Sequence, residues 1–403
     1  MSRQQRPPQI RPIEVLNRRT GKKETRYELI ADAGINPETG RRAQVRRRFT
    51  AEKDAKEALA KLQTGVADGT HVAKSGFTVE DACVAWLNGR HEIKPTTRAA
   101  YEHALAPLRD RHGNDKLQEL TKEKLDALVT DLTAGKFPGQ RKGWTTNSIN
   151  PMLNIISAVL TEQVALGRAV RDHAALVKRS KRPKRKLTTF TERQADKMLK
   201  HARGHRLEHA WHLALYGARR GEILGLKWIN VNLTDQTIGE GEDALPPRHV
   251  RISETRVAVN GKAIDQDDTK TDDSARDLPL TPALIAVLKR AQTRQKAEYL
   301  KAGGKYQDSG HVVCNELGQP YHPDSLSGWW KDACALANVP SIRLHDARHS
   351  CGSIMHNQGV PLAVISQWLG HSDPAFTLRT YVHPDKDGLA AAAAVMGRVV
   401  TSS

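Results

Sequence analysis

The sequence is poor in cysteine, in aromatic side chains and in long apolar runs. Its 403 residues include 4 cysteines, and Phe, Trp and Tyr together make up 5 %. The cysteines are scattered, without a CxxC pair or histidines at zinc-ligand spacing, which argues against a disulfide scaffold or a structural zinc site. No apolar run approaches the ~20 residues of a membrane span, and the amino terminus is polar. We therefore expect a cytoplasmic protein with reduced thiols and no membrane partner.

Acidic residues are also scarce relative to basic ones. Asp and Glu number 45 against 63 Lys and Arg, giving a formal charge of +18, which favours a polyanionic partner such as nucleic acid. Residues 1–75 and 76–186 carry nets of +8 each, whereas residues 187–403 carry +2. We expect the first two regions to grip DNA and the third to perform chemistry.

Residues 1–75 have the pattern of a small sheet followed by a helix. Two alternating segments, "RYELIADAG" and "RRAQVRRRF", flank a turn at residues 36–40, and a helix is predicted over residues 51–63. Arg46, Arg47 and Arg48 lie on the second of these strands and are candidate DNA contacts in a groove. The alternative, a solvated edge strand protected by its charge, is about as common for an Arg-rich strand taken alone.

The rest of the chain divides into a helical region, a basic linker and a mixed region. Apolar spacing over residues 76–177 is helical. A linker able to follow phosphates comprises residues 178–186, with Lys178, Arg179, Lys181, Arg182, Lys184, Arg185 and Lys186. Residues 187–403 read as α+β, mainly α, with a helix starting after Thr191, one helix over residues 211–228 and a hairpin at Asn260–Gly261. The predicted fold class is thus multidomain, with a small sheet-plus-helix domain at the amino terminus, an all-α domain after it, and a mixed α+β domain that is mainly α.

The third region contains residues suited to phosphodiester exchange. That reaction needs a nucleophile, cationic hydrogen-bond donors around the phosphate, and groups that move protons. Four segments provide them: "YGARRGEILGLKW" contains Arg219 and Glu222, "KTDDSARDLPL" contains Lys270, "LHDARHS" contains His345 and Arg348, and "LGHSDPAFTLRTY" contains His371 and Tyr381. Glu222, three residues after Arg219 on a predicted helix, can steady the guanidinium. Taken singly, such residues are more often surface pairs, core aromatics or solvated lysines.

In this order, the residues resemble the signature of the tyrosine recombinases, also called lambda-type integrases. The resemblance covers residue 187 to about residue 398 directly. It implies a catalytic domain over residues 187–403, preceded by a helical core-binding domain (76–177) and an arm-type DNA-binding domain (1–75), which match in layout and composition.

The resemblance also implies roles. Tyr381 would attack the scissile phosphate and form a 3′-phosphotyrosine, releasing a 5′-hydroxyl. Arg219 and Arg348 would clamp the phosphate oxygens, since a guanidinium fork binds two oxygens and stays protonated. Of the other signature residues, Lys270 would protonate the leaving oxygen, His345 would assist proton transfer, and His371 would hydrogen-bond the phosphate. No metal, cofactor or ATP is implied.

The expected partners are double-stranded DNA, at core and arm-type sites, and further copies of the chain. The family implies a homotetramer on two DNA partners, with the tail over residues 387–400 docking on a neighbour. A DNA-bending host factor and an excisionase are further possible partners, and the amino-terminal module favours the integrase of a phage or integrative element. The alternatives are a type IB topoisomerase and a catalytically silent DNA-binding regulator. Tyr216 is a rival nucleophile, although a buried aromatic role suits it better.

Overall fold

The computed structural model describes residues 6–17, 21–35, 42–67, 72, 75–181, 187–267 and 275–371. The chain divides into two compact units, Met1–Lys184 and Arg185–Ser403. The described part is mostly helical, with a small sheet near the amino terminus. Within these ranges, no helix has the length and apolar character that crossing a membrane requires.

An antiparallel sheet and one helix form the first part of the chain. The strands are β1 (Ile10–Leu16), β2 (Lys23–Ile35) and β3 (Arg42–Phe49), and the helix is α1 (Glu52–Ala67). In the described residues the strand order is β1-β2-β3. Leu29 and Ile10 face each other across the sheet and pack with Ala55, Leu59 and Leu62 of α1. The helix begins and ends later than predicted, and the predicted turn at residues 36–40 lies outside the described residues.

Helices with a shared apolar core follow. They are α2 (Val79–Asn88), α3 (Pro95–His112), α4 (Lys122–Ala134) and α5 (Thr146–Ala165). Thr78 caps α2 through a reciprocal pair of hydrogen bonds with Asp81, which satisfies main-chain donors at the start of the helix. Trp86 and Tyr101 pack with ring centroids 5.2 Å apart, beside the buried Leu128 and Leu153.

The second unit surrounds two buried tryptophans, Trp211 and Trp330, whose ring centroids are 5.4 Å apart. Its helices are α6 (Glu192–Ala202), α7 (Glu208–Leu215), α8 (Arg220–Gly225), α9 (Pro282–Ala302), α10 (Pro323–Leu336), α11 (Leu344–Asn357) and α12 (Leu362–Leu369). Its strands are β4 (His249–Ile252), β5 (Glu254–Val259), β6 (Lys262–Asp267) and β7 (Arg276–Pro279). Among the described strands β4 pairs with β7, and β5 with β6, both antiparallel. Thr191 caps α6, as predicted.

The prediction of one helix over residues 211–228 is wrong, because the chain breaks between α7 and α8. Gly217 adopts a φ of +101°, a backbone conformation that residues other than glycine rarely adopt. A Cβ atom there would also lie 2.8 Å from Cδ2 of Leu369 and 3.3 Å from Sγ of Cys351. The break therefore lets α11 and α12 approach the chain closely, and it places Arg219 at the start of α8.

The predicted hairpin at Asn260–Gly261 is confirmed. Both residues have positive φ, 49° and 77°, as the tight turn between β5 and β6 requires. The hairpin lies against α8, where a Cβ on Gly225 would be 2.9 Å from the Glu254 carbonyl oxygen. Two small residues on α8, Gly221 and Gly225, thus bring the hairpin that precedes Lys270 next to the helix that follows Arg219.

Candidate active site

The site is organised around the buried carboxylate of Glu222, in the first turn of α8. Its side chain is 2 % exposed. The main-chain N–H of Arg219 donates to Oε2 at 2.7 Å, and Nη1 of the same residue donates to Oε1 at 2.6 Å. These two hydrogen bonds, both donated by Arg219, tie the start of the helix to the Glu222 carboxylate and fix the Arg219 side chain, which is 36 % exposed. The predicted pairing is therefore present, with Arg219 just before the helix.

Arg276, the first residue of β7, binds the same carboxylate from another side. Its Nη2 donates to Oε2 of Glu222 at 2.9 Å, and its Nη1 donates to Oε1 at 3.2 Å. Burial alone would raise the pKa of Glu222, but the charge and hydrogen bonds of Arg276, with the charges of Arg219 and Arg348, lower it to about 2. Glu222 is therefore ionised at any physiological pH.

Arg348, on α11, is 1 % exposed and lies between two backbone segments. Its Nη1 donates to the carbonyl oxygen of Gly217 at 2.6 Å, and its Nη2 donates to that of Leu369. Arg219 reaches the next residue, with Nη2 donating to the Gly370 carbonyl oxygen at 2.6 Å. Both predicted phosphate-binding arginines thus converge on the turn that ends α12.

Three histidines lie beside these arginines. His345 is solvent-exposed, and its ring is perpendicular to that of the buried His349 with centroids 5.0 Å apart. The half-buried His371 follows the α12 turn, and its main-chain N–H donates to the Ser366 carbonyl oxygen at 3.0 Å. Desolvation by the surrounding protein atoms and the charge of Arg348 lower the pKa of His345.

The other two histidine pKa values are lowered further. Burial, followed by the charges of Arg348 and Arg219, lowers the pKa of His371 to about 4. Burial, followed by the proximity of His345, also lowers the pKa of His349 to about 4. Both rings are therefore neutral near pH 7, where a neutral imidazole can donate one hydrogen bond and accept another.

The structure thus brings together five of the predicted residues: Arg219, Glu222, His345, Arg348 and His371. Lys270 and Tyr381 lie outside the described residues. Sequence reasoning missed Arg276 and His349. His349 stands four residues after His345 on one helix, a spacing that places both on one face, whereas a single Arg in a short strand gives no comparable signal.

A basic cleft of about 610 Å³ opens beside Arg219. Its cationic side chains are partly held by neighbours, since Arg220 donates to Asp324 at 3.0 Å and Arg343 to Asp346 at 2.7 Å. The lining residues are Arg219, Arg220, Gly221, Ser327, Lys331, Ser341, Ile342, Arg343, Leu344 and His345. Such a concentration of fixed donors suits an anionic ligand such as a phosphodiester.

The three candidate arginines of β3 do not act as one set. Arg46 and Arg48 share one face of the sheet, and their Nε atoms donate to Oε1 of Glu28 at 2.8 and 3.1 Å. Arg47 projects to the opposite face, where it lines a cavity with residues of α1 such as Glu57. The open face of the sheet therefore presents Arg46 and Arg48.

The basic linker is described only up to residue 181. Lys178 and Lys181 are exposed, whereas Arg179 folds back and donates from Nη1 to the carbonyl oxygens of Ala174 and Val177 at 2.6 and 2.7 Å. Arg179 therefore caps the chain end of the helical region. The other candidates of this segment, Arg182, Lys184, Arg185 and Lys186, lie outside the described residues.

Tyr216 is engaged in packing. Its hydroxyl donates to the Pro279 carbonyl oxygen at 2.5 Å, and its ring packs edge-on against Trp368 with centroids 5.0 Å apart. Burial raises the pKa of Tyr216 to about 12, which disfavours the phenolate. In the described ranges, no group of three His, Cys, Asp or Glu side chains is arranged to hold a metal ion.

Comparisons with known proteins place the chain in a family. Residues 188–387 match the phage integrase family. A XerC-like tyrosine recombinase from Caldanaerobacter subterraneus subsp. tengcongensis is 27 % identical over 346 residues, covering 82 % of this chain and 86 % of the relative. The chain belongs to the tyrosine recombinase family. An integrase of Streptomyces ambofaciens is likewise 27 % identical to this recombinase over 371 residues, covering 89 % of each protein.

Solved structures share the fold of this recombinase. The Tn1549 transposon integrase, in complex with transposon right end DNA, superposes with a TM-score of 0.60 at 17 % identity, covering 80 % of this chain and all of that one. A lambda integrase tetramer bound to a Holliday junction gives a TM-score of 0.54 at 16 % identity over 96 % of this chain and 99 % of that one. The activity of the recombinase is site-specific recombination of DNA.

Proposed function

We propose that the recombinase cleaves and rejoins duplex DNA through Tyr381 and a 3′-phosphotyrosine, and thereby integrates or excises a mobile element. The observation that carries this is the convergence of Arg219 and Arg348 on the turn before His371, around the buried Glu222. Residues distant in sequence thus form one cationic centre, in the order that the family signature has them.

The charges of the centre suit a phosphate in its transition state. Among the described residues, the guanidinium groups of Arg219, Arg276 and Arg348 surround the carboxylate of Glu222, so that three positive charges face one negative charge. Because the positions of these positive charges are fixed before DNA binds, they can stabilise the charge that develops on the nonbridging oxygens without rearrangement. Arg219, which also lines the open cleft, is the one best placed to reach the DNA.

The chemistry balances without an external energy source. The phenol of Tyr381 gives its proton to His345 as its oxygen bonds to phosphorus, the bond from phosphorus to the 5′ oxygen breaks, and Lys270 supplies the proton that the leaving oxygen takes. His371 donates a hydrogen bond to a nonbridging oxygen as a neutral imidazole, and His345 assists proton transfer. Attack by a 5′-hydroxyl on the phosphotyrosine reverses these steps, so neither ATP nor a metal ion is needed.

The cleft beside Arg219 and the basic segments outside it would hold the DNA. Arg220, Lys331 and Arg343 would take up backbone phosphates next to the scissile one. The open face of the sheet, with Arg46 and Arg48, would bind arm-type sites as a separate module. Lys178, Lys181 and the following basic residues would track phosphates between the core-binding and catalytic domains.

Several relatives are named as integrases, one of them from Staphylococcus phage L54a, which supports the biological role. The ICEBs1 integrase of Bacillus subtilis is 21 % identical over 360 residues, covering 89 % of this chain and 93 % of that one. We propose a homotetramer on two DNA partners in the cytoplasm, with residues 387–400 docking on a neighbouring copy. A DNA-bending host factor and an excisionase would set the direction of the reaction.

The decisive experiment is covalent capture on a suicide substrate nicked near the crossover point. Wild type, Tyr381→Phe and Tyr216→Phe are compared on denaturing gels, with each strand end-labelled in turn and EDTA present throughout. We expect wild type and Tyr216→Phe to shift only the strand carrying the 3′ phosphate, and Tyr381→Phe to shift neither. An adduct in Tyr381→Phe, or one on a 5′ end, would overturn the mechanism.

The same substrates separate the alternatives. A catalytically silent regulator forms no adduct. A type IB topoisomerase forms one but yields only relaxed circles when two attachment sites are supplied, whereas the proposed recombinase yields recombinant products.

A further inference from the structure

Arg276 connects the catalytic segments to one another. Its side chain is 6 % exposed and contacts two parts of the second unit at once. The Nη atoms donate to both oxygens of Glu222, and Nε donates to the Trp368 carbonyl oxygen at 2.8 Å. Arg276 therefore joins the start of α8 to the last turn of α12, from the strand that follows the Lys270 segment.

The turn after α12 is built against this guanidinium. Gly370 has φ 60° and ψ 57°, in the left-handed region. A Cβ atom there would lie 2.9 Å from Nη1 of Arg276 and 3.3 Å from its Cζ. Arg219 holds the carbonyl oxygen of the same glycine. Two guanidinium groups bound to Glu222 thus contact Gly370, and this turn leads directly to His371.

We propose that Arg276 is a positioning residue for strand cleavage, setting the place of the turn before His371 relative to Arg219 and Glu222. This inference rests on the proposed function, in which His371 and the following Tyr381 act at the scissile phosphate. Arg276 is too buried to bind DNA itself, so its effect is on the rate of cleavage and not on affinity. Small displacements of reacting groups are costly in enzymes.

The side chain must be arginine for this role. A guanidinium presents Nε and two Nη groups in one plane, which allows one edge to bind the carboxylate while Nε binds a carbonyl in another direction. A lysine at residue 276 supplies one nitrogen. It can neutralise Glu222, but it cannot also hold the Trp368 carbonyl in the same geometry.

That difference separates positioning from simple charge compensation. The buried carboxylate needs a counter-charge, since an uncompensated buried charge is strongly destabilising. If compensation is the whole role of Arg276, Arg276→Lys preserves both folding and cleavage. If Arg276 sets the turn, Arg276→Lys preserves folding and loses cleavage.

A matched control lies on the paired strand. Arg251 of β4 makes a similar two-point ion pair, with Nε and Nη2 each 2.8 Å from the carboxylate of Asp277. Its Nη1 also donates to the main-chain carbonyl of Asp243 at 2.9 Å. Arg251→Met therefore removes the same kind of contact from the same small sheet, away from Glu222 and Gly370.

The experiment measures three quantities for full-length wild type, Arg276→Lys, Arg276→Met and Arg251→Met. They are the rate of covalent adduct formation at saturating protein, the Kd for uncleaved core-site duplex, and the Tm. We expect Arg276→Lys to keep the Tm and Kd of wild type while its cleavage rate falls on the order of 10²-fold. Arg276→Met should cleave as slowly and also melt earlier, and Arg251→Met should cleave at the wild-type rate.

Hydrogen exchange adds a local readout. The amides of Gly370 and His371 donate to carbonyls in α12, at 3.0 Å each. We expect Arg276→Lys to exchange these amides faster than wild type, while the α7 amides keep their protection.

Each contrary result has a distinct meaning. Failure of wild type to form an adduct would sink the proposed function itself. If wild type forms the adduct and Arg276→Lys matches its rate, positioning by Arg276 is wrong and the proposed function stands. A Kd that weakens in parallel with the rate, an equal loss in Arg251→Met, or unchanged exchange at Gly370 and His371 would each also overturn the positioning role.

Discussion

Neutralising Glu222 should strongly destabilise the catalytic unit. The carboxylate is 2 % exposed and accepts hydrogen bonds from both Arg219 and Arg276. Glu222→Gln keeps the shape of the side chain but removes its charge, and the new NH₂ group faces arginine donors. Two guanidinium groups then lose the carboxylate that offsets their charge, one of them, Arg276, being almost fully buried.

Two independent routes give the size of the effect. Removing one partner of a buried ion pair typically costs about 3–5 kcal/mol. The pKa of Glu222 falls from an ordinary value of 4.5 to about 2, and at about 1.4 kcal/mol per pKa unit this corresponds to roughly 3 kcal/mol of stability near pH 7. For a unit of this size, each kcal/mol lowers the Tm by about 2–4 °C, so a loss of roughly 10 °C is expected.

The pH dependence has a definite sign. The pKa of Glu222 is lower in the folded than in the unfolded state, so its contribution is full above pH 4.5 and is lost as the pH falls towards 2. Glu222→Gln has no such group. The stability difference between the two proteins should therefore shrink as the pH falls below 4.5.

Urea unfolding of the full-length protein, followed by tryptophan fluorescence, measures the effect, because five of the 7 tryptophans lie within residues 185–403. Glu208→Gln is the matched control. Glu208 is also buried, but its partner Arg290 is 53 % exposed, so its loss should cost clearly less. A Glu222→Gln loss of less than about 1 kcal/mol, or no greater than that of Glu208→Gln, would refute the reasoning.

Three further predictions test other parts of the structure. The pKa of His349 is about 4 in the folded protein and near 6.5 when unfolded, so the free energy of unfolding should fall as the pH drops from about 6.5 to 4. Urea unfolding at pH 7 and at pH 5 should show that His349→Gln loses less of this free energy between the two pH values than wild type does. An equal loss in both proteins contradicts the burial of His349 as a neutral ring. If the cleft binds a phosphate, Lys331→Met should reduce the slope of the logarithm of the DNA association constant against the logarithm of the salt concentration by about 0.9. Lys305→Met, outside the cleft, should leave this slope unchanged. A wild-type slope in Lys331→Met argues against DNA binding in the cleft. A protein starting near Ser75 should still form the covalent adduct on core sites but recombine full attachment sites poorly; coincident footprints of the two proteins on a full site would disprove a separate arm-binding module.

Local features of the fold followed from the sequence where the cause was itself local. Asn260–Gly261 predicts a tight hairpin because few residues tolerate the positive φ that such a turn needs. Thr191 predicts a helix start because its hydroxyl can accept the N–H of Gln194. The break at Gly217 could not be predicted in this way, since apolar spacing continues through it. Its cause is the close approach of Leu369, more than 150 residues later in the chain.

The candidate site shows the same division. The ordered signature identified Arg219, Glu222 and Arg348 as a group, although no periodicity connects their segments. Arg276 was missed because its role exists only once β7, α8 and α12 have assembled. The opposite orientation of Arg47 was within reach, since alternate residues of a strand face opposite sides.

Residues 187–403, in which the proposed chemistry takes place, have a net charge of only +2. Most of the arginines that the structure describes there pair with nearby carboxylates, as Arg206 does with Glu298 at 2.5 Å. Among the described residues around Glu222, the guanidinium groups outnumber the carboxylate that they face, and the neighbouring His371 is neutral. In the proposed reaction, a phosphodiester that enters the site would bring negative charge to these guanidinium groups. Basic surfaces elsewhere on the protein can then provide most of the affinity for DNA. The local excess of positive charge around Glu222 acts where negative charge develops during strand exchange.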